Sequence, residues 1–221
     1  MFGYSPITYN YLNDNSNHNL LFLCYHKMSN LPAIIKSRRA VYPMQMNGES
    51  VPTSVIHEML ELANWAPTHR NTEPWRFKVY EQNAKDSLLD LCKECYVKTT
   101  PAEKFKSVKL DKIEKRKNQV SHIVAICMRR NEESAVVPEW EEVAATAMAA
   151  QNMWLALSES GKYGGYWSSS AYAMGDGFRN FLKLSDDERC LGLFYVGTIA
   201  DTAVLTNGRR GDWREKVSFE K

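Results

Sequence analysis

The residues of this sequence whose types and spacing could do chemistry fall in three short stretches. The first is the pair Arg38 and Arg39, at the end of a predicted helix. Two adjacent guanidinium groups could fork onto a phosphate. Basic residues at a helix C-terminus also complement the helix macrodipole, so the pair alone is weak evidence for a phosphate site.

The second stretch is a loop at residues 66–74, which places His69, Arg70 and Asn71 between two prolines. Because prolines restrict the backbone, the loop is a rigid frame from which these side chains could hydrogen-bond a heteroaromatic ring. The alternative is a polar turn that precedes a core tryptophan, Trp75.

The third stretch, residues 164–170, reads Gly-Gly-Tyr-Trp-Ser-Ser-Ser. Its two glycines allow another backbone or a ligand to approach closely, and its hydroxyls and amides lie beside an aromatic ring. The alternative interpretation is a helix stop followed by a short strand.

Other chemistries find no support in the motifs. The sequence has no G-x-S-x-G, H-E-x-x-H or G-x-x-x-x-G-K-[ST] motif, and its five histidines lack metal-ligand spacing. The five cysteines form no disulfide framework, which favours a cytoplasmic protein. Cys92 and Cys95 have thioredoxin-like spacing, but in a helical stretch they are simply neighbours.

Composition indicates a soluble globular protein. The chain has 221 residues, 44% of them hydrophobic and 24% charged, with a net charge of +2. This balance argues against a nucleic-acid or membrane partner, and no apolar run reaches the roughly 18 residues of a membrane span. Residues 104–117 are rich in lysine, but interleaved acidic residues favour a solvated helix over a nucleic-acid patch.

Hydrophobic periodicity places these stretches on a chain that mixes helices and strands without a regular βαβ period, which indicates an α+β fold. We expect residues 1–27, rich in Asn and Tyr, to be a flexible extension, and residues 28–221 to form one domain. The predicted helices are 30–39, 52–65, 84–98, 102–118, 139–160 and 175–183, and the predicted extended segments are 75–80, 122–128, 166–168 and 191–198. Helix 139–160 is apolar nearly all round and is expected to be the core helix.

In their order and spacing, five stretches together resemble the FMN-dependent nitroreductase family, and most closely its small NAD(P)H nitroreductase-like members. The resemblance runs from about residue 31 to residue 198. It implies a nitroreductase-like α+β fold, with a central, mostly antiparallel sheet flanked by helices, and an intertwined homodimer with two sites at its interface. The five stretches are residues 36–40, 66–77, 137–140, 164–169 and 193–198.

The same resemblance implies a cofactor and a reaction. FMN would take a hydride from NAD(P)H and reduce a small nitroaromatic, quinone or similar electron-poor substrate by a ping-pong mechanism. No side chain need act as a strong acid or base. The implied cofactor-binding residues are Arg38, Arg39 and the backbone of Ala40 at the phosphate, Trp65 and His69 at the flavin of the partner subunit, Asn71 in the same loop, and Trp167, Ser168 and Ser169 along the flavin.

Three residues depart from the family pattern. Ala40 stands where a serine is usual, Ser168 replaces an arginine, and Ser170 replaces a glycine. Arg209 and Arg210 could supply the lost positive charge, although they could equally be solvent-exposed tail charges. The lost arginine also leaves open a second function, that of a flavin-binding or sequestering protein with little turnover.

Overall fold

The computed structural model describes residues 31–131, 137–170 and 176–221. By its internal contacts the chain divides into two units, Met1–Lys36 and Ser37–Lys221. Of the first unit the structure describes residues 31–36, which form most of helix α1 (Leu31–Ser37). The extension expected at residues 1–27 lies outside the described residues. The second unit carries the sheet and all three stretches singled out in the sequence.

The second unit is built around a four-stranded sheet in which every neighbouring pair of strands is antiparallel. The strand order is β1-β2-β4-β3. The continuous apolar run in the middle of the sequence forms β2, which is buried on both faces between β1 and β4. The predicted α+β class with a mostly antiparallel sheet is therefore confirmed. The strands are β1 (Trp75–Glu81), β2 (His122–Arg129), β3 (Tyr163–Ser168) and β4 (Glu188–Thr198).

Helices cover both faces of this sheet and give the unit two hydrophobic cores. On one face α2 and α5 pack against each other and on the sheet, around Met59, Ala149 and Met153. On the other face α3 and α4 enclose Leu88 and Ile113. The helices are α2 (Thr53–Ala63), α3 (Gln82–Thr99), α4 (Ser107–Lys115), α5 (Glu139–Ser158) and α6 (Asp176–Phe181).

Two predicted segments differ from the structure. The helix predicted over residues 102–118 is broken, because Phe105 and Lys106 are extended before α4 begins. There the Lys106 N–H donates to the hydroxyl of Tyr96 (2.9 Å), a tertiary bond that replaces a helical one. The glycines 164 and 165, expected to end a helix before the strand, lie inside β3.

Both glycines are required by close packing. A Cβ at Gly164 would lie 2.4 Å from Val41 Cγ2, and one at Gly165 would lie 2.2 Å from Phe194 Cζ. These separations are far below van der Waals contact, so only glycine fits at either position. The segment that contains Val41 consequently packs directly on the backbone of β3.

We expect Gly164→Ala to lower the free energy of unfolding by about 1–3 kcal/mol, because the added methyl group overpacks against Val41. Gly211→Ala is the matched control, since its nearest neighbour is the flexible tip of Lys216 at 3.5 Å, and a change within about 0.5 kcal/mol is expected. Denaturant unfolding of both variants measures the difference. Equal stability of the two variants would contradict the close packing of β3 described above.

Candidate functional site

An extended segment after α1 places Arg38 and Arg39 at the edge of β3. Ala40 forms a parallel bridge with Gly165, and the Val41 N–H donates to the Gly165 carbonyl at 3.0 Å. The segment thus continues the sheet beyond β3. The two arginines lie immediately before this bridge, and their position relative to β3 is fixed by backbone hydrogen bonds.

The chain that follows β4 returns to the same segment. Gln45 Nε2 donates to the carbonyl of Val204 (2.9 Å), and Arg39 Nε donates to that of Thr206 (3.2 Å). Gly208 then lies against the Arg39 guanidinium, so closely that a Cβ there would be 2.6 Å from Cζ. This return brings the two arginines that follow Gly208 to the neighbourhood of Arg38 and Arg39.

Arg38, Arg39 and Arg210 form a cluster of positive charge, here called the arginine patch. Partial burial, followed by the positive charges of Arg210 and Arg39, lowers the pKa of the Arg38 guanidinium below its ordinary value. Such like charges repel one another, and a bound anion would relieve the repulsion. Arg209 is exposed, and the contact described for it is made by its carbonyl, which accepts from Arg210 at 2.8 Å.

Trp154 on α5 supports the arginine patch, a role that the sequence did not reveal. The guanidinium carbon of Arg38 lies 4.4 Å from the centroid of its ring, a cation–π contact. The rings of Trp154 and Phe194 pack edge to face, with their centroids 5.3 Å apart. Its Nε1 is buried without a hydrogen-bond partner among the described residues. Because Trp154 lies in an Ala- and Met-rich helix, the sequence alone indicates only a core residue.

Trp167 is fixed in β3 by a bulge in the neighbouring strand. The register between β2 and β4 shifts at Ile126, so that Leu191 is the extra residue of β4. The carbonyl of Leu191 accepts from Trp167 Nε1 at 3.3 Å. Gly192, with φ +145°, would place a Cβ 2.4 Å from that nitrogen, so the bulge and the glycine together make room for the indole ring.

The serines after Trp167 occupy the end of β3 and the chain beyond it. The hydroxyls of Ser168 and Ser170 lie 3.1 Å apart and share a hydrogen bond, while Ser169 is exposed. Ser168, which stands in place of the family's arginine, is therefore engaged with its own segment.

The loop at residues 66–74 is held in an uncommon backbone conformation. Arg70, Asn71 and Glu73 have φ values of +54°, +52° and +41°, in the left-handed region that non-glycine residues seldom adopt. His69 Nδ1–H donates to Glu141 Oε2 (2.5 Å), which ties the loop to the first turn of α5. Backbone positions of this kind cluster at functional sites, and this loop has three of them.

The structure does not bring the loop and the arginine patch together within one chain. His69 contacts α5 at Glu141, whereas Arg38 contacts it at Trp154. These two positions are thirteen residues apart, which corresponds to about 20 Å of helix. A single ligand touching both His69 and Arg38 would therefore need them from different chains, or would have to be very long.

A surface formed by α2 and α5, here called the α2–α5 surface, leaves large apolar side chains in solvent. Trp65, just after α2, is 78% exposed, and Trp140, at the start of α5, is 69% exposed. Met148 lies two helical turns after Trp140 and is also exposed. The helix expected to be the core helix therefore also has an exposed side.

Within the described ranges, no three His, Cys, Asp or Glu side chains converge as metal ligands, and no helix there is long and apolar enough to cross a membrane. Cys92 and Cys95 both lie in α3. Burial raises the pKa of Cys92 to about 12, so this thiol stays protonated and unreactive at neutral pH.

Comparison with known proteins gives the chain its family. A family model described as the nitroreductase family matches residues 35–198. The chain belongs to the nitroreductase family. It is 30% identical over 173 residues to the Bacillus subtilis (strain 168) protein named "Putative NAD(P)H nitroreductase YfhC", covering 78% of this chain and 86% of the relative. The nitroreductase resemblance seen in the sequence is confirmed.

Solved structures show the same nitroreductase-like fold. A nitroreductase-like family protein from Bacillus cereus superposes with a TM-score of 0.73 at 22% identity, over 86% of this chain and 96% of that one. The FMN-dependent nitroreductase NfnB of Mycobacterium smegmatis, solved in complex with NADPH, gives a TM-score of 0.69 at 18% identity, over 88% of this chain and all of that one (100%). The fold predicted from the sequence is therefore confirmed.

The arginine patch predicts that inorganic phosphate stabilises this nitroreductase-family protein after bound small molecules have been removed. An anion that binds only the folded state raises the melting temperature. In Arg210→Ala we expect less than half of the wild-type shift, because the repulsion that favours the anion is reduced. Arg214→Ala is the control, since Arg214 pairs with Asp212 (3.3 Å) and should leave the shift unchanged. Equal shifts in the two variants would exclude Arg210 from the anion site.

Proposed function

We propose that this protein is an FMN-dependent oxidoreductase that accepts hydride from NAD(P)H and reduces nitroaromatic, quinone or similar electron-poor compounds by ping-pong exchange. The observation that carries the proposal is the convergence of Arg38, Arg39 and Arg210 beside the backbone of β3. The curated B. subtilis relative bears the name of an NAD(P)H nitroreductase, and the M. smegmatis structure is that of an FMN-dependent enzyme with NADPH.

The residues at the arginine patch fit the phosphate of FMN. A phosphate dianion would satisfy several guanidinium donors at once and remove their mutual repulsion. Ala40 offers no hydroxyl group, and Arg210, arriving from the far end of the chain, provides the additional charge. The ring of Trp154 contacts the Arg38 guanidinium through a cation–π interaction, and this contact limits the positions that the guanidinium adopts.

When bound, FMN supplies the hydride-transfer chemistry, and the protein supplies binding and orientation. Arg38, Arg39 and Arg210 would hold the phosphate. Trp167, locked by its hydrogen bond to Leu191, would present a fixed flat surface next to the isoalloxazine ring. Ser168 and Ser169 would lie along the same edge, with hydroxyl and backbone amide groups to orient the ring.

We further propose that Trp65, His69 and Asn71 complete the flavin site of a partner subunit in a homodimer. The separation of about 20 Å along α5 between the contacts of His69 and Arg38 supports this arrangement. The exposed Trp65 and Trp140 of the α2–α5 surface supply apolar area for the interface. In a two-fold dimer each chain would contribute the arginine patch to one site and the loop to the other.

Steady turnover distinguishes the oxidoreductase from a flavin-sequestering protein. Two features favour sequestration, namely the hydrogen bond between Ser168 and Ser170 and the missing arginine at position 168. The purified protein should show the absorbance bands of a bound flavin. It should also consume many equivalents of NAD(P)H when a nitroaromatic acceptor is present. Few equivalents should be consumed when both oxygen and the acceptor are absent. A flavin spectrum with no sustained consumption would support sequestration, and absence of flavin bands after reconstitution with FMN would exclude both functions.

Mixing two variants tests the shared site. Arg38→Ala and His69→Ala should each weaken FMN binding as pure proteins. After subunit exchange, random pairing places half of the subunits in heterodimers, each with one intact and one doubly damaged site. Full-strength FMN binding should therefore return at about a quarter of all sites. Titration of FMN by fluorescence quenching measures this fraction.

The control for this mixture is Arg38→Ala combined with Arg39→Ala, because both residues belong to the same patch and no heterodimer site is intact. Subunit exchange is verified beforehand with differently tagged chains. Recovery in neither mixture would show that Arg38 and His69 serve one flavin from a single chain, or that His69 has only a structural role in its loop.

A further inference from the structure

A cavity lies on the face of the sheet that carries α3 and α4, away from the α2–α5 surface. Its volume is about 420 Å³, within the range of small-molecule sites. One wall is formed by Tyr42, Met44 and Tyr166, and the opposite wall by Lys112, Lys115 and Arg116. No acidic side chain is found among the described residues that line it.

The basic wall is one stripe of the segment predicted to be a simple solvated helix. Lys112, Lys115 and Arg116 recur at helical spacing, so they project from α4 and its last turn on the same side. Neither the Lys112 nor the Lys115 ammonium group forms an ion pair or hydrogen bond with any residue in the described parts of the chain. The positive charge of these two ammonium groups is therefore available to a ligand.

The acidic residue between them points elsewhere. Glu114 pairs with Lys93 (2.5 Å) and with Lys117 (3.1 Å), and Lys117 reaches Asp90 at 2.7 Å. This network links α4 to α3. It pairs the Glu114 carboxylate with lysines that do not line the cavity. The interleaving of charges in the sequence consequently resolves into a neutralised side and a cationic side.

The opposite wall is aromatic and is held in place. The rings of Tyr42 and Tyr166 lie 4.8 Å apart, centroid to centroid, and Tyr166 in turn stacks at 6.2 Å on Tyr195. Arg116 covers Tyr195 at 4.7 Å and donates to its hydroxyl at 2.8 Å, so Arg116 joins the two walls. A flat ring could pack against such a wall while its charged group reached the lysines.

We propose that this cavity is a second ligand site, which binds a purine nucleotide with its base against Tyr42 and Met44 and its phosphates on Lys112 and Lys115. Lysines are flexible point charges suited to a polyphosphate, and aromatic side chains are the usual stacking partners of bases. The site is distinct from the arginine patch, from which it differs in its residues and in the face of the sheet. It does not depend on the proposed oxidoreductase activity.

Calorimetric titrations of the FMN-loaded protein test the two halves of the site separately. The probes are ADP, adenosine, which has the ring alone, and inorganic pyrophosphate, which has the anion alone. We expect ADP to bind at least about tenfold more tightly than either, since it engages both walls. Its affinity should fall at raised ionic strength, because the lysines are exposed and their charges are screened.

Variants assign the binding to residues. The double variant Lys112→Gln/Lys115→Gln should weaken ADP binding at least about tenfold, and Tyr42→Ala should reduce ADP affinity to that of pyrophosphate. The matched control Lys98→Gln/Lys183→Gln removes the same charge from exposed positions outside the cavity and should leave ADP affinity unchanged. Thermal melting and flavin content verify that each variant is folded.

Three outcomes would overturn the proposal. The first is ADP binding that the lysine variant leaves unchanged. The second is ADP binding that is abolished by Arg38→Ala but retained in the lysine variant, which would place the nucleotide at the arginine patch. The third is equal affinity for ADP and pyrophosphate, which would reduce the cavity to a simple anion site. If the protein does not bind FMN, the ADP titration can still be carried out on the flavin-free protein. Failure of the proposed function is therefore distinguished from failure of the proposed nucleotide site.

Discussion

The close approach between residues 40–41 and the backbone of β3 is the contact on which the rest of the site depends. It exists because Gly164 and Gly165 have no side chain where Val41 and Phe194 pack. From this contact follow the hydrogen bond of Val41 to Gly165 and the placement of Arg38 and Arg39 beside the sheet. A side chain at Gly164 would separate the segment from the strand and move both arginines with it.

The arginine patch beside this contact carries a concentrated positive charge. Three guanidinium groups drawn from the two ends of the domain are held near each other without a compensating anion in the interactions described for Arg38. Their repulsion is opposed by tertiary hydrogen bonds, such as that of Arg39 to Thr206, and by the stacking of Arg38 on Trp154. A bound anion would relieve the repulsion that remains.

The two faces of the sheet are used differently. The α2–α5 surface exposes tryptophans and a methionine, which suits association with a second copy of the chain. On the other face, α4 turns its lysines toward an aromatic wall, while Glu114 is neutralised against α3. One sheet thus separates an apolar surface, suited to a partner, from a polar cavity, suited to a small ligand. The four central strands are common to both.

The sequence by itself determined most of the elements, the α+β class and the family, because hydrophobic periodicity and the spacing of short motifs are local properties of the chain. It also singled out Arg38, His69 and Trp167, whose neighbours along the chain are distinctive. Only the tertiary structure decided that Arg210 joins Arg38, that Trp154 lies beneath it, and that residues 105–106 interrupt a helix. These features depend on contacts between residues that are distant in the sequence. In each case a residue from another part of the chain offsets a local cost, either a lost helical hydrogen bond or a repulsion between like charges. Hydrophobic periodicity cannot show such a residue.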